Sequence, residues 1–199
     1  MSNPRVVVLA SGTGSLFRSL IEARETLGID IVGLIADGEV PAVDIAREFE
    51  IPAFVISVGA DRALWNSDLA SQLRSLTPDL IVSAGFMRVL GATVVDEFEG
   101  RIINTHPALL PLFPGAHGVH DALAAGVAVT GTTVHFVDAG VDTGRIIAQA
   151  EVPVLDDDTE ATLHERIKVE ERALLVEVVG QIVQGKVKYD NLKNGDSNE

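Results

Sequence analysis

Asn104 and His106 stand two residues apart in INTHPALLPLFPGAHG, residues 103–118, where an apolar run gives way to three prolines and two glycines. An imidazole can hold or pass a proton near neutral pH, and a carboxamide can donate and accept hydrogen bonds in fixed directions. Residues two apart in an extended chain project to the same side. Proline and glycine then set a backbone that is neither helix nor strand, a means of holding polar groups still at a strand end. A lone histidine is more often a satisfied polar residue, but Asn104 and Pro107 beside it favour catalysis. Further on, Asp138 and Asp142 flank a glycine in DAGVDTG. Acids in a turn commonly serve the turn itself. If that loop folds over the strand ends, one carboxylate reaches His106, favours its charged form and makes a general acid.

Four other groupings have both a chemical and a plain reading. In VVVLASGTGSLF, Gly12 and Gly14 precede Ser15 at a helix start, where bare N–H groups and the helix dipole attract an anion. The third glycine of a dinucleotide fingerprint and the Gly-Lys-Ser/Thr of a P-loop are both missing, so the choice lies between a phosphate site and a tight turn, and the former is favoured. Asp37 in LIADG could hold a ribose, but an Asp before Gly38 reads more simply as a turn former. His117, His120 and His135 suggest a metal by count, yet no acid stands at a metal-ligand spacing, so no metal is expected. Lys168 and Glu171, three apart on a helix, face the same way and serve either as a surface pair or toward a ligand.

The elements that must position these groups follow from periodicity. Apolar runs near 6–10, 31–36, 53–56, 80–84 and 101–104 alternate with amphipathic stretches near 15–27, 41–49, 61–76, 92–98 and 120–125. Such repeated βα units predict an α/β fold with a doubly wound, mostly parallel sheet, which binds ligands at the carboxyl ends of its strands. Residues 130–137 and 145–154 alternate as half-buried strands, predicting an antiparallel hairpin at one edge. A long C-terminal helix should follow, with Asp157 and Glu160 as its capping box. One domain over residues 1–190 is expected, with 191–199 a polar, flexible tail.

Composition narrows the partners. With 15 Lys+Arg against 29 Asp+Glu, the net charge of −14 opposes nucleic acid and anionic membranes. No apolar run approaches the ~20 residues of a membrane span, and the start has no secretory cleavage pattern. The absence of cysteine removes disulfides and thiol chemistry. A cytoplasmic protein acting on small molecules, as monomer or homodimer, is expected.

The segments SGTGS, AGFMRVL, INTHPALLPLFPGAHG and VHFVDAGVDTG, in this order and over nearly the whole chain, closely resemble the phosphoribosylglycinamide formyltransferase family. The resemblance implies a Rossmann-like formyltransferase fold and transfer of formyl from the co-substrate 10-formyltetrahydrofolate to the amine of glycinamide ribonucleotide, in purine synthesis. It implies Asn104, His106 and Asp142 as catalytic residues, and Gly14, Ser15 and Leu16 as the turn around the substrate phosphate. Glu171 would contact the ribose or glycinamide part, with Lys168 adding a phosphate contact. Arg62, Met87, Arg88, Val89, Leu90 and Asn104 would meet the folate. An attacked formyl carbon develops an oxyanion that needs fixed donors, a demand that Asn104 and protonated His106 suit. Three positions depart from the family pattern: Leu16 stands for a usual Asn, Arg145 for a common Pro, and Lys168 for a frequent neutral side chain.

Overall fold

Val6, Val7, Val8 and Leu9 leave no polar face, so a strand made of them must be covered on both sides. The computed structural model describes residues 2–189, and the expected tail at 191–199 lies outside the described residues. In it these valines form β1 (Arg5–Ala10), buried along nearly its whole length. The other strands are β2 (Asp30–Ala36), β3 (Ala53–Val55), β4 (Leu80–Ser83), β5 (Ile102–His106), β6 (Val129–Phe136) and β7 (Ile146–Pro153). They form one sheet in the order β3-β2-β1-β4-β5-β6-β7. The first five are parallel, while β6 and β7 run antiparallel to their neighbours.

Side chains alternate between two cores. Val6, Val8 and Ala10 pack with α1 (Ser15–Leu27), α2 (Pro41–Glu48) and α6 (Glu160–Val183), whereas Val7 and Leu9 pack with α3 (Arg62–Leu76) and α4 (Ala92–Glu97). A smaller cluster joins α5 (Gly118–Ala124) to β7 and α6 through Val119, Val152, Leu163 and Ile167. The strand order reverses between β1 and β4, so the loops after β1, β4 and β5 open into one crevice at the carboxyl edge. Among the described residues, no helix is long and apolar enough to cross a membrane.

Local chemistry sets the boundaries that matter. α1 begins after Gly14, whose left-handed φ of 75° and near contact of 2.9 Å between an added Cβ and Ala42 admit glycine alone. β5 runs two residues beyond the expected Asn104, through His106. Asn and His are weak strand formers, but antiparallel pairing of Asn104 with His135, Thr105 with Val134 and His106 with Thr133 overrides that preference. α5 starts at Gly118 rather than His120. The cap of α6 also differs: Thr159 is the N-cap and exchanges hydrogen bonds with Thr162. Asp158 instead receives two bonds from Arg166, at 2.6 and 2.9 Å, and so joins the α6 entrance to its second turn.

The proline-rich segment after His106 is secured by side chains from the antiparallel strands. The Leu110 N–H donates to the Thr133 hydroxyl at 3.0 Å, and that hydroxyl donates to the Ala108 carbonyl at 2.7 Å. Gln149 donates to the Leu110 carbonyl at 2.8 Å, and the Thr132 hydroxyl to the His106 carbonyl at 3.2 Å. Buried loop polar groups are thereby paired, as they must be.

Candidate active site

At the carboxyl edge lies a cavity of about 460 Å³, bordered by the turn after β1, the loop after β4, the end of β5, the 137–142 loop and one face of α6. Asn104 and His106 enter from β5, and Asp142 comes over from the loop after β6. His106 is buried, and its Nε2–H donates to the Phe113 carbonyl at 2.7 Å. A carbonyl can only accept, so that nitrogen keeps its hydrogen. Nδ1, 3.4 Å from an Asp142 carboxylate oxygen, is therefore the nitrogen that gains or loses a proton. Phe113 and Asp142 both hold left-handed backbone, with φ of 53° and 55°, a conformation that bulky residues avoid and that tends to persist at functional sites.

Asp142 is fastened from several directions. It accepts the Gly115 N–H at 2.8 Å, which ties the 137–142 loop to the proline-rich segment. Burial alone would raise its pKa; a hydrogen bond from His135, the Gly115 N–H and the charges of His106 and His135 outweigh that and hold it below the usual carboxylate value. Asp138 serves the turn, accepting the Gly140 N–H at 3.0 Å and the Thr143 hydroxyl at 2.7 Å. At Gly144 an added Cβ would fall 1.7 Å from the Phe136 carbonyl oxygen, so the loop's return path needs glycine.

By count alone His135 suggests a metal ligand, and the structure gives it a different place. Its Nδ1–H donates to the Phe136 carbonyl at 2.8 Å. Its Nε2 lies 3.2 Å from Asn104 Nδ2 and 3.5 Å from Asp142 Oδ1. A neutral ring accepts from Asn104; a charged one donates to Asp142. The signal that reveals it is the β5–β6 register, which pairs Asn104 with His135, and no local pattern carries that. Of the other histidines, His117 is exposed at the cavity rim and His120 pairs with Asp121 at 3.1 Å.

Gly12, Gly14, Ser15 and Leu16 border the cavity at the start of α1. Leu16 is largely buried, so this turn offers an anion main-chain N–H groups together with the hydroxyls of Thr13 and Ser15. From α6 come Glu160, His164, Lys168 and Glu171. Lys168 pairs with Glu165 at 2.7 Å rather than with Glu171. Glu171 is 6% exposed, and burial raises its pKa, partly offset by the Thr105 hydroxyl, Lys168 and Arg172. Burial lowers the pKa of His164, with a further push from Lys168.

The opposite wall is Met87, Arg88, Val89 and Leu90. Met87 and Val89 are 64% and 59% exposed, large apolar side chains presented beside a cavity. Their backbone is pinned: the Met87 N–H donates to the Ser11 hydroxyl at 2.9 Å, and the Ser11 N–H to the Gly85 carbonyl at 3.2 Å. Arg62 stands behind this wall, its guanidinium 4.6 Å from the Trp65 ring centre and bonded to the Val89 carbonyl at 2.8 Å. Asp37 forms a 2.6 Å pair with Arg88 through a side chain that is only 5% exposed, a tether between strand ends that neither sequence reading anticipates. Arg145 lies 4.9 Å from the Phe136 ring centre and bonds the Lys188 carbonyl, so it packs the loop where a proline would stiffen it.

The formyl transferase family model matches residues 4–179. A phosphoribosylglycinamide formyltransferase of Mycobacterium tuberculosis is 54% identical over 181 residues, 89% of this chain and 84% of that protein. Among solved structures, glycinamide ribonucleotide transformylase 1 from Symbiobacterium toebii superposes with a TM-score of 0.92 at 34% identity, covering 96% of this chain and 92% of that one. The phosphoribosylglycinamide formyltransferase of Anaplasma phagocytophilum gives 0.89 at 36% identity, covering 95% and 91%.

Proposed function

The chain belongs to the phosphoribosylglycinamide formyltransferases of the formyl transferase family, and from that premise we propose that it moves the formyl group of 10-formyltetrahydrofolate onto the amine of glycinamide ribonucleotide. The products are formylglycinamide ribonucleotide and tetrahydrofolate, in de novo purine synthesis. An acidic, cysteine-free chain fits work on such small molecules in the cytoplasm.

The amine nitrogen attacks the formyl carbon and the carbonyl electron pair moves onto oxygen. Asn104 and the His106 imidazolium supply donors to that oxyanion, in a cleft where fixed dipoles count for more than in water. The bond from carbon to folate nitrogen then breaks, and its electron pair stays on that nitrogen. One proton leaves the amine and one reaches the departing nitrogen, so a relay through His106 Nδ1, Asp142 or water ends as it began. The substrate phosphate falls to the main chain of Gly14, Ser15 and Leu16 with Lys168, the ribose or glycinamide part to Glu171, and the pterin to the wall from Met87 to Leu90, which Arg62 supports. The observation that carries these roles is the meeting of amide, imidazole and carboxylate, from two strands' worth of separate chain, on a cavity that also receives the glycine turn.

The test is folate product formation, followed by absorbance, with glycinamide ribonucleotide as acceptor and glycine or tRNA as controls. His106→Asn should lower kcat by at least ~10²-fold while calorimetry still detects nucleotide binding. Normal turnover in that variant would remove His106 from the chemistry.

A further inference from the structure

The loop that delivers Asp142 is closed at its root and backed by another part of the chain. The Val137 N–H donates to the Ile102 carbonyl, and the Phe136 N–H to the Arg145 carbonyl, both at 2.9 Å, so the loop leaves and re-enters the sheet side by side. Phe136 is buried on β6 and forms the floor of that root. The Arg145 guanidinium stands over its ring, 4.9 Å from the centre, and the Tyr189 ring meets it edge to face at 5.1 Å and 69°. The same guanidinium donates to the Lys188 carbonyl.

Tyr189 reaches this place because the chain turns sharply beyond α6. Gly185 holds a left-handed φ of 70°. Its N–H donates to the Ile182 carbonyl and the Lys186 N–H to the Gln181 carbonyl, both at 2.9 Å, the bonding of a glycine cap that ends a helix and redirects the chain. Val187 and Tyr189 then pack against the core that α1, α2 and α6 cover. The Tyr189 ring fills the space beside Gly100, where an added Cβ would come 2.6 Å from its Cδ1, and its hydroxyl donates to Glu99 at 3.3 Å. Residues 186–189 thus run as a strap from the end of α6 to the root of the Asp142 loop.

We propose that Tyr189 and Arg145 are positioning residues for Asp142: together they clamp the Phe136 ring, and through it the loop root, where the carboxylate comes to His106 Nδ1. This rests on the reading of Asp142 as catalytic. Gly115 holds the carboxylate at the far side of the loop, and the strap holds the root. Between these two anchors Asp142 keeps its left-handed backbone and its 3.4 Å approach to His106. A proline stiffens a chain through its own ring, whereas Arg145 does so only through what it grips. In this chain, rigidity beside the catalytic carboxylate therefore depends on the segment after α6.

The experiment measures kcat and KM for glycinamide ribonucleotide at saturating folate, Tm, and amide hydrogen exchange in residues 137–145. The proteins are wild type, Tyr189→Ala, Tyr189→Phe, Arg145→Ala and the double variant carrying both alanines. Each single alanine should lower kcat about tenfold, as for a reacting group displaced by part of an ångström, with KM within about twofold of wild type. Exchange in 137–145 should quicken while that of the α6 amides holds. Because both side chains act on one ring, the double variant should fall no more than about twofold below either single. Tyr189→Phe keeps the ring and should keep wild-type kcat and exchange. A wild-type kcat in the alanine variants at lowered Tm would reduce the strap to a structural tie and overturn the proposal. Losses that multiply in the double variant, or a phenylalanine variant as impaired as alanine, would overturn it too. If Tyr189→Ala does not fold, Arg145→Ala, a change at an exposed side chain, decides by the same readouts. If wild type fails to formylate the ribonucleotide, the functional reading falls instead, while the exchange result still supports or overturns the strap, so the two failures are distinct.

Discussion

Gly118 opens α5 against the ring of His106, and alanine there should impair catalysis while sparing the fold. A methyl at this position would lie 3.0 Å from His106 Nε2, 3.1 Å from the Phe113 carbonyl oxygen and 3.2 Å from His106 Cε1. It would enter the side of the 2.7 Å bond that fixes the imidazole. Carbon contacts are comfortable only from about 3.5 Å outward, so ring and carbonyl must give way by a few tenths of an ångström. His106 has little room to do so, being buried on a strand held between β4 and β6. Crowding of this kind costs about 1–3 kcal/mol, and alanine's advantage over glycine in a helix returns about 0.5–1, leaving a net loss of roughly 0–2.5 kcal/mol. Misplacing a reacting group by part of an ångström acts more strongly on rate, so kcat should fall about 10- to 10²-fold. The assay is steady-state formyl transfer at saturating substrates, paired with thermal unfolding on the same preparation. Undiminished kcat at unchanged Tm would refute the claim that the Phe113 carbonyl sets the imidazole in place.

Asp142→Asn keeps a side chain that tolerates left-handed backbone, and kcat should drop by about 10²- to 10⁴-fold. Because the folded-state pKa of Asp142 is depressed, its stabilising contribution is present above the unfolded value near ~4 and lost as pH falls through the folded one; denaturant titrations should show the wild-type advantage shrinking as pH is lowered through that range. Glu171→Gln should have opposite effects on function and stability: burial raises the pKa of this group, so its ionised form weakens the free protein at pH 7, and the variant should gain on the order of 1 kcal/mol in unfolding while KM for the ribonucleotide rises. Asp158→Asn should lower Tm at neutral pH, and the deficit should vanish in strong acid. Arg166 first, then the Leu155 N–H, holds that carboxyl far below its ordinary pKa, so its contribution persists well into the acid range before it is lost.

The parallel half of the molecule was legible because its signals are local. Gly14 and Gly28 bracket α1, and the predicted span Ser15–Leu27 matches the observed helix. The end of β5 was not, because Thr105 and His106 are extended only through their partners on β6. The α6 cap moved from Asp157 to Thr159 for a related reason: a neighbouring acid, Asp158, is engaged by Arg166 eight residues along the helix. Asn104 and His106 could be picked out by residue type, whereas the choice of Asp142 over Asp138 came only with the family resemblance. That His135 stands across from Asn104, and that Asp37 meets Arg88 across a separation of 51 residues, are facts of strand register and loop placement that no nearby residue announces.

Ser11 links the glycine turn to the exposed Met87 wall through its hydroxyl, at 2.9 Å. The seats proposed for the nucleotide and for the folate therefore share a mechanical seam. If the two sides move together, the thermodynamic coupling between them is mutual. Two-substrate synergy in this enzyme would then have an address: one serine at the tip of the first strand.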